Sequence, residues 1–311
     1  LAVLFAGGWQ FARFGDIACT MPVSYKEDAD NFMNMTVRPD DVWVATFPRT
    51  GTTWTQELVW MVANDLDYDT AAKIPLLGRY MFIEANHVLV PSKLSQKEVD
   101  TVALEEFAKT MPSFEAIESA PSPRFIKTHM PFSLLPKNLL ETAKVVYVAR
   151  DPRDVAVSWY NHNRLFYKYS GDFKTFWNLF INDLVIYAPF FPHLKEAWAL
   201  RDHPNMLYIF YEDMIRDLPS SVKRVATFLG KKITNEQLEK LCDHLNIKNF
   251  KDNKSVNLSF IQQIGNPTAE SFIRKGKSGG WRDHFDEEMT AQAQKWMSEN
   301  LAGSDLRFPD V

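Results

Sequence analysis

Cysteine is nearly missing: Cys19 and Cys242 are the only two in 311 residues. That is too few for a disulfide framework and leans towards a reducing compartment. No apolar run reaches the length that spans a bilayer. The opening LAVLF is short, has no basic residue before it, and makes a poor signal peptide. These features predict a soluble, cytoplasmic protein without a membrane span. A basic excess is lacking too. The net charge of -4 argues against broad nucleic-acid binding, yet leaves room for a small anion held by a few arginines and lysines. No spacing of histidines and cysteines suggests a zinc site, so no metal is expected. Repeats, low-complexity tracts and an obvious linker are also lacking. The chain is expected to form one α/β domain over 1–311, with a partly irregular N-terminal extension.

Aromatic residues, by contrast, are plentiful: 23 Phe, 10 Tyr and 9 Trp suit a large core or an apolar pocket, without choosing between them. Four apolar runs read as buried strands: Val42–Phe47, Phe125–Thr128, Lys144–Ala149 and Met206–Phe210. Helical patterns lie between or after them at Thr53–Ala63, Asp154–Tyr160 and Leu218–Leu229. Such alternation predicts a central parallel sheet flanked by helices, with ligands beyond the carboxyl ends of the strands. Arg49, His129, Arg150 and Tyr211 fall at those four ends. Residues 65–120 read as loops and helices near a pocket mouth. Residues 250–280 have a loop-like composition.

The first core strand runs into FPRTGTTW, Phe47 to Trp54. Gly51 allows close backbone approach, Thr52 and Thr53 can cap the following helix, and exposed amides with the helix dipole favour an anion. An ordinary strand–turn–helix junction is the bland alternative. A Walker A loop would need GxxxxGK before Ser or Thr; no lysine precedes the threonines here, so metal-assisted nucleotide hydrolysis has weak support.

With KTHMPFSLLP at 127–136, YVARDPRDVAVSWY at 147–160, FYEDM at 210–214 and RKGKSGGWR at 274–282 added, the chain resembles the cytosolic sulfotransferase family. The motifs keep the family's order and span most of the chain. SGGWRDHFDEEMT looks like the insect branch, which includes retinol dehydratases. The resemblance implies 3'-phosphoadenosine 5'-phosphosulfate as donor, with 3'-phosphoadenosine 5'-phosphate left behind. Arg49, Thr50, Gly51, Thr52 and Thr53 would surround its 5'-phosphate and sulfonate bridge, and Trp54 would stack on adenine. Arg150 and Ser158 would take the 3'-phosphate, joined by Arg274, Lys275 and Gly276, with Tyr211 near adenine. Guanidinium suits the second phosphate because it can bind bidentately. The bland alternatives are a pairing of Arg150 with Asp151 or Asp154, and a solvated basic loop for RKGK.

His129 would take the proton of an acceptor hydroxyl, and Lys127 would balance charge on the transferring sulfonate or support the base. An isolated histidine is more often a satisfied core residue; the motif and the strand-end position favour catalysis. His87, His162 and His193 have no comparable setting. The family normally carries lysine where Arg49 stands. Arginine keeps the charge but does not readily donate a proton. HLNI at His244–Ile247 replaces a donor-binding segment that usually supplies a hydroxyl and an aromatic ring. The family's dimer motif is not kept at Arg282, Asp286, Glu287 and Ala291, which leaves a homodimer open but not through that motif.

The acceptor is expected to be a small apolar phenol or alcohol, a steroid or retinoid alcohol included. Wall candidates are Phe132, Trp159, Phe166, Phe190 and Tyr80–Ile83; each could equally be core. One rival is dehydration of an allylic alcohol through a transient sulfate ester, suggested by the insect-like block and the inserted-looking 79–110. Another, from a different class, is a nucleotide-binding switch or a non-catalytic binding protein.

Overall fold

The computed structural model describes residues 9–89, 106–107, 109–261, 266, 269–274 and 276–310. Near its start, β1 (Phe11–Phe14) and β2 (Cys19–Pro22) form a short antiparallel hairpin, with Phe11 opposite Pro22 and Phe14 opposite Cys19. The main sheet contains β3 (Val42–Thr46), β4 (Met81–Phe82), β5 (Phe125–Thr128), β6 (Lys144–Ala149) and β7 (Met206–Phe210). Its order is β4-β5-β3-β6-β7 and every pairing is parallel. In register, Val42 lies between Phe125 and Lys144, and Val145 opposite Met206.

Both faces of this sheet are covered. Successive side chains of a strand point to opposite faces. Trp43 and Ala45 of β3, with Val145 and Tyr147 of β6, enter one apolar cluster. Val44, Val146 and Val148 enter the other, against the helix α1 (Thr52–Ala63). That is why these strands read as unbroken apolar runs rather than alternating ones.

The sequence boundaries need small revisions. The helix following β6, α2, spans Pro152–Phe166 and is longer than the Asp154–Tyr160 pattern implies. Asp151 caps it by accepting from the Arg153 amide at 2.8 Å, and Pro152 occupies its first turn, where a missing N–H costs nothing. Its far end is held by buried Leu165 and Phe166. After β7 come Tyr211–Arg216 and the helix α3 (Leu218–Phe228), capped by Asp217. Residues 65–89 contain short helices and the edge strand β4, a two-residue element with too little sequence to give a pattern. Most of 90–108 lies outside the described residues. No described helix is long and apolar enough to cross a membrane.

Candidate active site

The loop between β3 and α1 owes its shape to two backbone positions. Arg49 has φ +69° and Gly51 φ +111°. At Gly51 the restriction is also steric, because a Cβ there would lie 2.7 Å from Tyr211 Cδ2. Thr50 is buried, and its hydroxyl donates to the Phe47 carbonyl at 2.9 Å, so this side chain pins the loop from inside. The Thr52 and Thr46 hydroxyls share a 2.7 Å hydrogen bond. No side chain caps α1, leaving its first amides and the positive end of its dipole for an anion. Trp54 is held by a 2.9 Å bond from its indole N–H to the Leu245 carbonyl and meets the Tyr211 ring edge-on at 5.7 Å.

Three guanidiniums converge beside this loop. Arg49 Nε donates to Ser158 Oγ (3.1 Å), one Nη donates to the Phe272 carbonyl (2.8 Å), and the group lies 4.5 Å from the Phe272 ring centre. Arg150 lies 4.2 Å over Tyr211 and donates to the carbonyls of Arg49 (3.3 Å) and Lys277 (2.9 Å). Among the described residues its Nε is buried without a partner. Arg274 pairs with Glu270. Burial, then the charges of Arg274 and Arg150, lower the Arg49 pKa to about 9. The guanidinium keeps its proton at neutral pH; the shift measures how poorly a crowded, dry cleft tolerates it. A polyanion would relieve that crowding and satisfy Arg150 Nε.

The neighbouring basic loop is fastened to α2 by Asp154. Its Oδ2 accepts from Ser278 Oγ (3.0 Å) and the Gly279 amide (2.7 Å), and its Oδ1 from the Trp281 amide (3.0 Å). The 3.8 Å approach of Arg150 to Asp154 is thus secondary to this anchoring, and Asp151 pairs with Arg153 instead. Gly276 has φ +59°, and a Cβ there would come within 2.3 Å of Ile247 Cγ1. Lys275 lies outside the described residues.

His129 is gripped on three sides. Its amide donates to Glu84 Oε1 (2.6 Å), its carbonyl accepts from His193 Nε2 (2.9 Å), and its Nδ1 donates to the Thr46 carbonyl (2.9 Å). The last bond sets the tautomer: Nε2 carries the lone pair. Burial first, then Lys127, holds the His129 pKa well below the usual value, so the ring is neutral at pH 7. The Lys127 ammonium lies 3.8 Å over the Phe82 ring, and burial lowers its pKa while Glu84 opposes the change.

Sequence reasoning missed Glu84 and His193. Glu84 is fully buried and also accepts from Thr128 Oγ1 (3.0 Å) and the Tyr187 hydroxyl (3.2 Å); burial raises its pKa. His193 accepts from the Tyr147 hydroxyl at 2.8 Å, which leaves its other nitrogen to hold the His129 carbonyl. Neither has a local motif; only the inward alternation of FIKTH and the β4–β5 pairing bring Glu84 under the base. His87 is elsewhere, against Asp28 at 2.9 Å.

One cavity of about 560 Å³ joins these groups. Arg49, Gly51, Thr52, Thr53, Trp54, Arg150, Ser158, Tyr211, Arg274 and Gly276 line it together with Lys127 and His129. Its other wall is apolar, from Phe82, Trp159, Phe166, Tyr187, Leu258 and Phe272. Of the proposed wall, Phe132, Phe190, Tyr80, Met81 and Ile83 do not line it. Phe190 packs on Phe47 at 4.9 Å in the core, and Tyr80 lies on the opposite sheet face with its hydroxyl bound to the Gln56 carbonyl. Among the described residues no cluster of His, Cys, Asp or Glu could hold a metal ion.

A parallel α/β sheet thus brings an uncapped helix, an arginine cluster and a buried strand-end histidine around one cleft with an apolar wall opposite. The model of the sulfotransferase domain matches residues 39–305, and the chain belongs to that family. It is 31% identical over 303 residues to luciferin sulfotransferase of Photinus pyralis, covering 95% of this chain and 80% of that one. The structure of retinol dehydratase in complex with androsterone and the inactive cofactor PAP matches with TM-score 0.93 and 43% identity, over 100% of this chain and 94% of that one. Retinol dehydratase in complex with retinol and PAP matches with TM-score 0.92 and 43% identity, over 99% and 94%. The chain is a sulfotransferase dependent on 3'-phosphoadenosine 5'-phosphosulfate.

Proposed function

We propose that the chain moves a sulfonate from 3'-phosphoadenosine 5'-phosphosulfate to the hydroxyl of a small apolar phenol or alcohol. The observation that carries this reading is a neutral His129, its Nε2 lone pair free, in one cavity with Lys127, the arginine cluster and an aromatic wall. The donor supplies an activated sulfonate and a phosphate leaving group. His129 Nε2 accepts the acceptor's hydroxyl proton as that oxygen attacks. Lys127 and Arg49 balance the negative charge that develops. Thr52, Thr53 and the α1 amides bind the 5' side; Arg150, Ser158, Arg274, Lys275 and Gly276 bind the 3'-phosphate; Trp54 and Tyr211 flank adenine. The carboxylate of Glu84 and the imidazole of His193 hold the base in place. Labelled sulfonate should pass to a phenol without added magnesium. No transfer across a broad panel of phenols and alcohols would refute the reading.

A second reading is dehydration: an allylic alcohol is sulfated, and loss of sulfate with a proton leaves a conjugated alkene. The likeness to retinol dehydratase favours it. Product mass after incubation with retinol and the donor separates the two, because a stable sulfate ester excludes dehydration.

A further inference from the structure

His162 stands out within the apolar wall. It lies four residues beyond Ser158 on α2, one helical turn further from the phosphate side. Its ring stacks on Trp159 (4.8 Å between centres, 15° between planes) and packs against Phe166 at 4.2 Å, with Phe272 edge-on at 6.0 Å. Among the described residues neither ring nitrogen has a hydrogen-bond partner, and Nδ1 is sealed from solvent. The Trp159 indole N–H beside it is buried and unpartnered as well.

A polar atom left unpaired in such surroundings is costly. Burial, followed by the charges of Arg49, Lys127 and His129, holds the His162 pKa well below its usual value, so the ring is neutral and bears one N–H. Orphaned N–H groups are rarer in folded proteins than orphaned acceptors. With the Trp159 indole N–H already orphaned, a lone pair on the sealed Nδ1 is the tautomer that avoids a second buried, unpaired donor. His162 lines the cavity and its Nδ1 is sealed, which leaves Nε2 as the nitrogen open to a ligand.

We propose that His162 selects the acceptor, its Nε2–H donating to a second oxygen on the molecule whose hydroxyl reacts at His129. The preferred acceptor is then an apolar alcohol or phenol that also carries a carbonyl, ether or second hydroxyl oxygen. This rests on the sulfonate-transfer reading above. A purely apolar skeleton fills the same space but leaves the imidazole unpaired, which is the stronger form of discrimination.

The test uses matched acceptor pairs: a series of hydroxyketones, each with the counterpart whose carbonyl is replaced by methylene. For the wild type, kcat/KM should favour the ketone by roughly 10-fold or more in at least one pair, and His162→Phe should collapse that ratio towards one. An unchanged ratio overturns the proposal, as does an equal loss for both members, which would put His162 on the donor side. Ring-nitrogen NMR of the wild-type protein saturated with 3'-phosphoadenosine 5'-phosphate gives a readout free of turnover and of the variant's folding. The His162 Nε2 signal should move with the ketone and not with its methylene counterpart. Equal movement, or none, overturns the proposal even where transfer succeeds, and the selective movement supports it even where transfer fails.

Discussion

The two ends of the cavity are built by different rules. At the polar end, cations, hydroxyls and backbone amides come mostly from the carboxyl ends of β3 and β6 and the helices that follow them, joined by Tyr211 after β7 and by Arg274 and Gly276, and they are positioned by hydrogen bonds or a left-handed backbone. At the apolar end, Phe82, Trp159, Tyr187 and Phe272 come from distant parts of the chain and are positioned mainly by ring packing. His129 belongs to both. The difference teaches that a fixed polyanion needs groups at set distances, whereas an apolar ligand needs a volume that many side chains can enclose.

The largest effect expected from this comparison is at the shared residue. His129→Ala should lower turnover about 100- to 10,000-fold while leaving the affinity for 3'-phosphoadenosine 5'-phosphate nearly unchanged. Single-turnover kinetics and calorimetry measure the two, and turnover within a few-fold of wild type would remove His129 from the reaction.

Arg150→Ala should weaken 3'-phosphoadenosine 5'-phosphate by about 10- to 150-fold, and adenosine 5'-phosphate far less. Arg150 has one buried unpaired Nε, which suits a charge-assisted bond. Equal weakening of both nucleotides in calorimetry would contradict the 3'-phosphate contact.

Glu84→Gln tests the layer beneath the base, with a loss in kcat of roughly 10-fold. The pH profile carries the sharper signature. A neutral His129 is needed, and its depressed pKa carries activity below pH 6.5 on the acid side. A charged Lys127 is needed, and its lowered pKa brings the alkaline decline down to about 8. Removing the Glu84 charge withdraws support for the ammonium, so the alkaline limb should move lower still. A limb that stays in place or rises would mean that Glu84 acts only in packing.

The smallest effect belongs to Arg49→Lys. An ammonium keeps the charge but cannot span both Ser158 Oγ and the Phe272 carbonyl. Turnover should change by less than about 10-fold, and acceptor KM should shift more than donor affinity, because Phe272 lines the acceptor side. A larger fall in donor affinity than in acceptor KM, read from initial rates, would locate the role of Arg49 on the donor side alone.

Much of the polar end of the cavity was legible because its residues lie in local patterns. Strand-end positions, a glycine between threonines, and an arginine eight residues before a serine are patterns within short stretches. The apolar wall was legible only in composition: Phe166 and Phe190 look alike in sequence, and one lines the cavity while the other is packed against Phe47. His162 and His193, which sequence could not tell from ordinary core histidines, were separated by their partners: both nitrogens of His193 are hydrogen-bonded, and among the described residues neither nitrogen of His162 is.

By itself the sequence determined the parallel α/β architecture, the glycine–threonine loop after β3 and the strand-end positions of Arg49 and Arg150, since apolar period, turn chemistry and charge are properties of neighbouring residues. Tertiary structure alone decided that Glu84 lies under His129, that Asp154 ties the basic loop to α2, and that Arg49 reaches Ser158 and Phe272. Those contacts join residues 45, 125, 109 and 223 positions apart, and no local periodicity encodes a distance across a packed sheet.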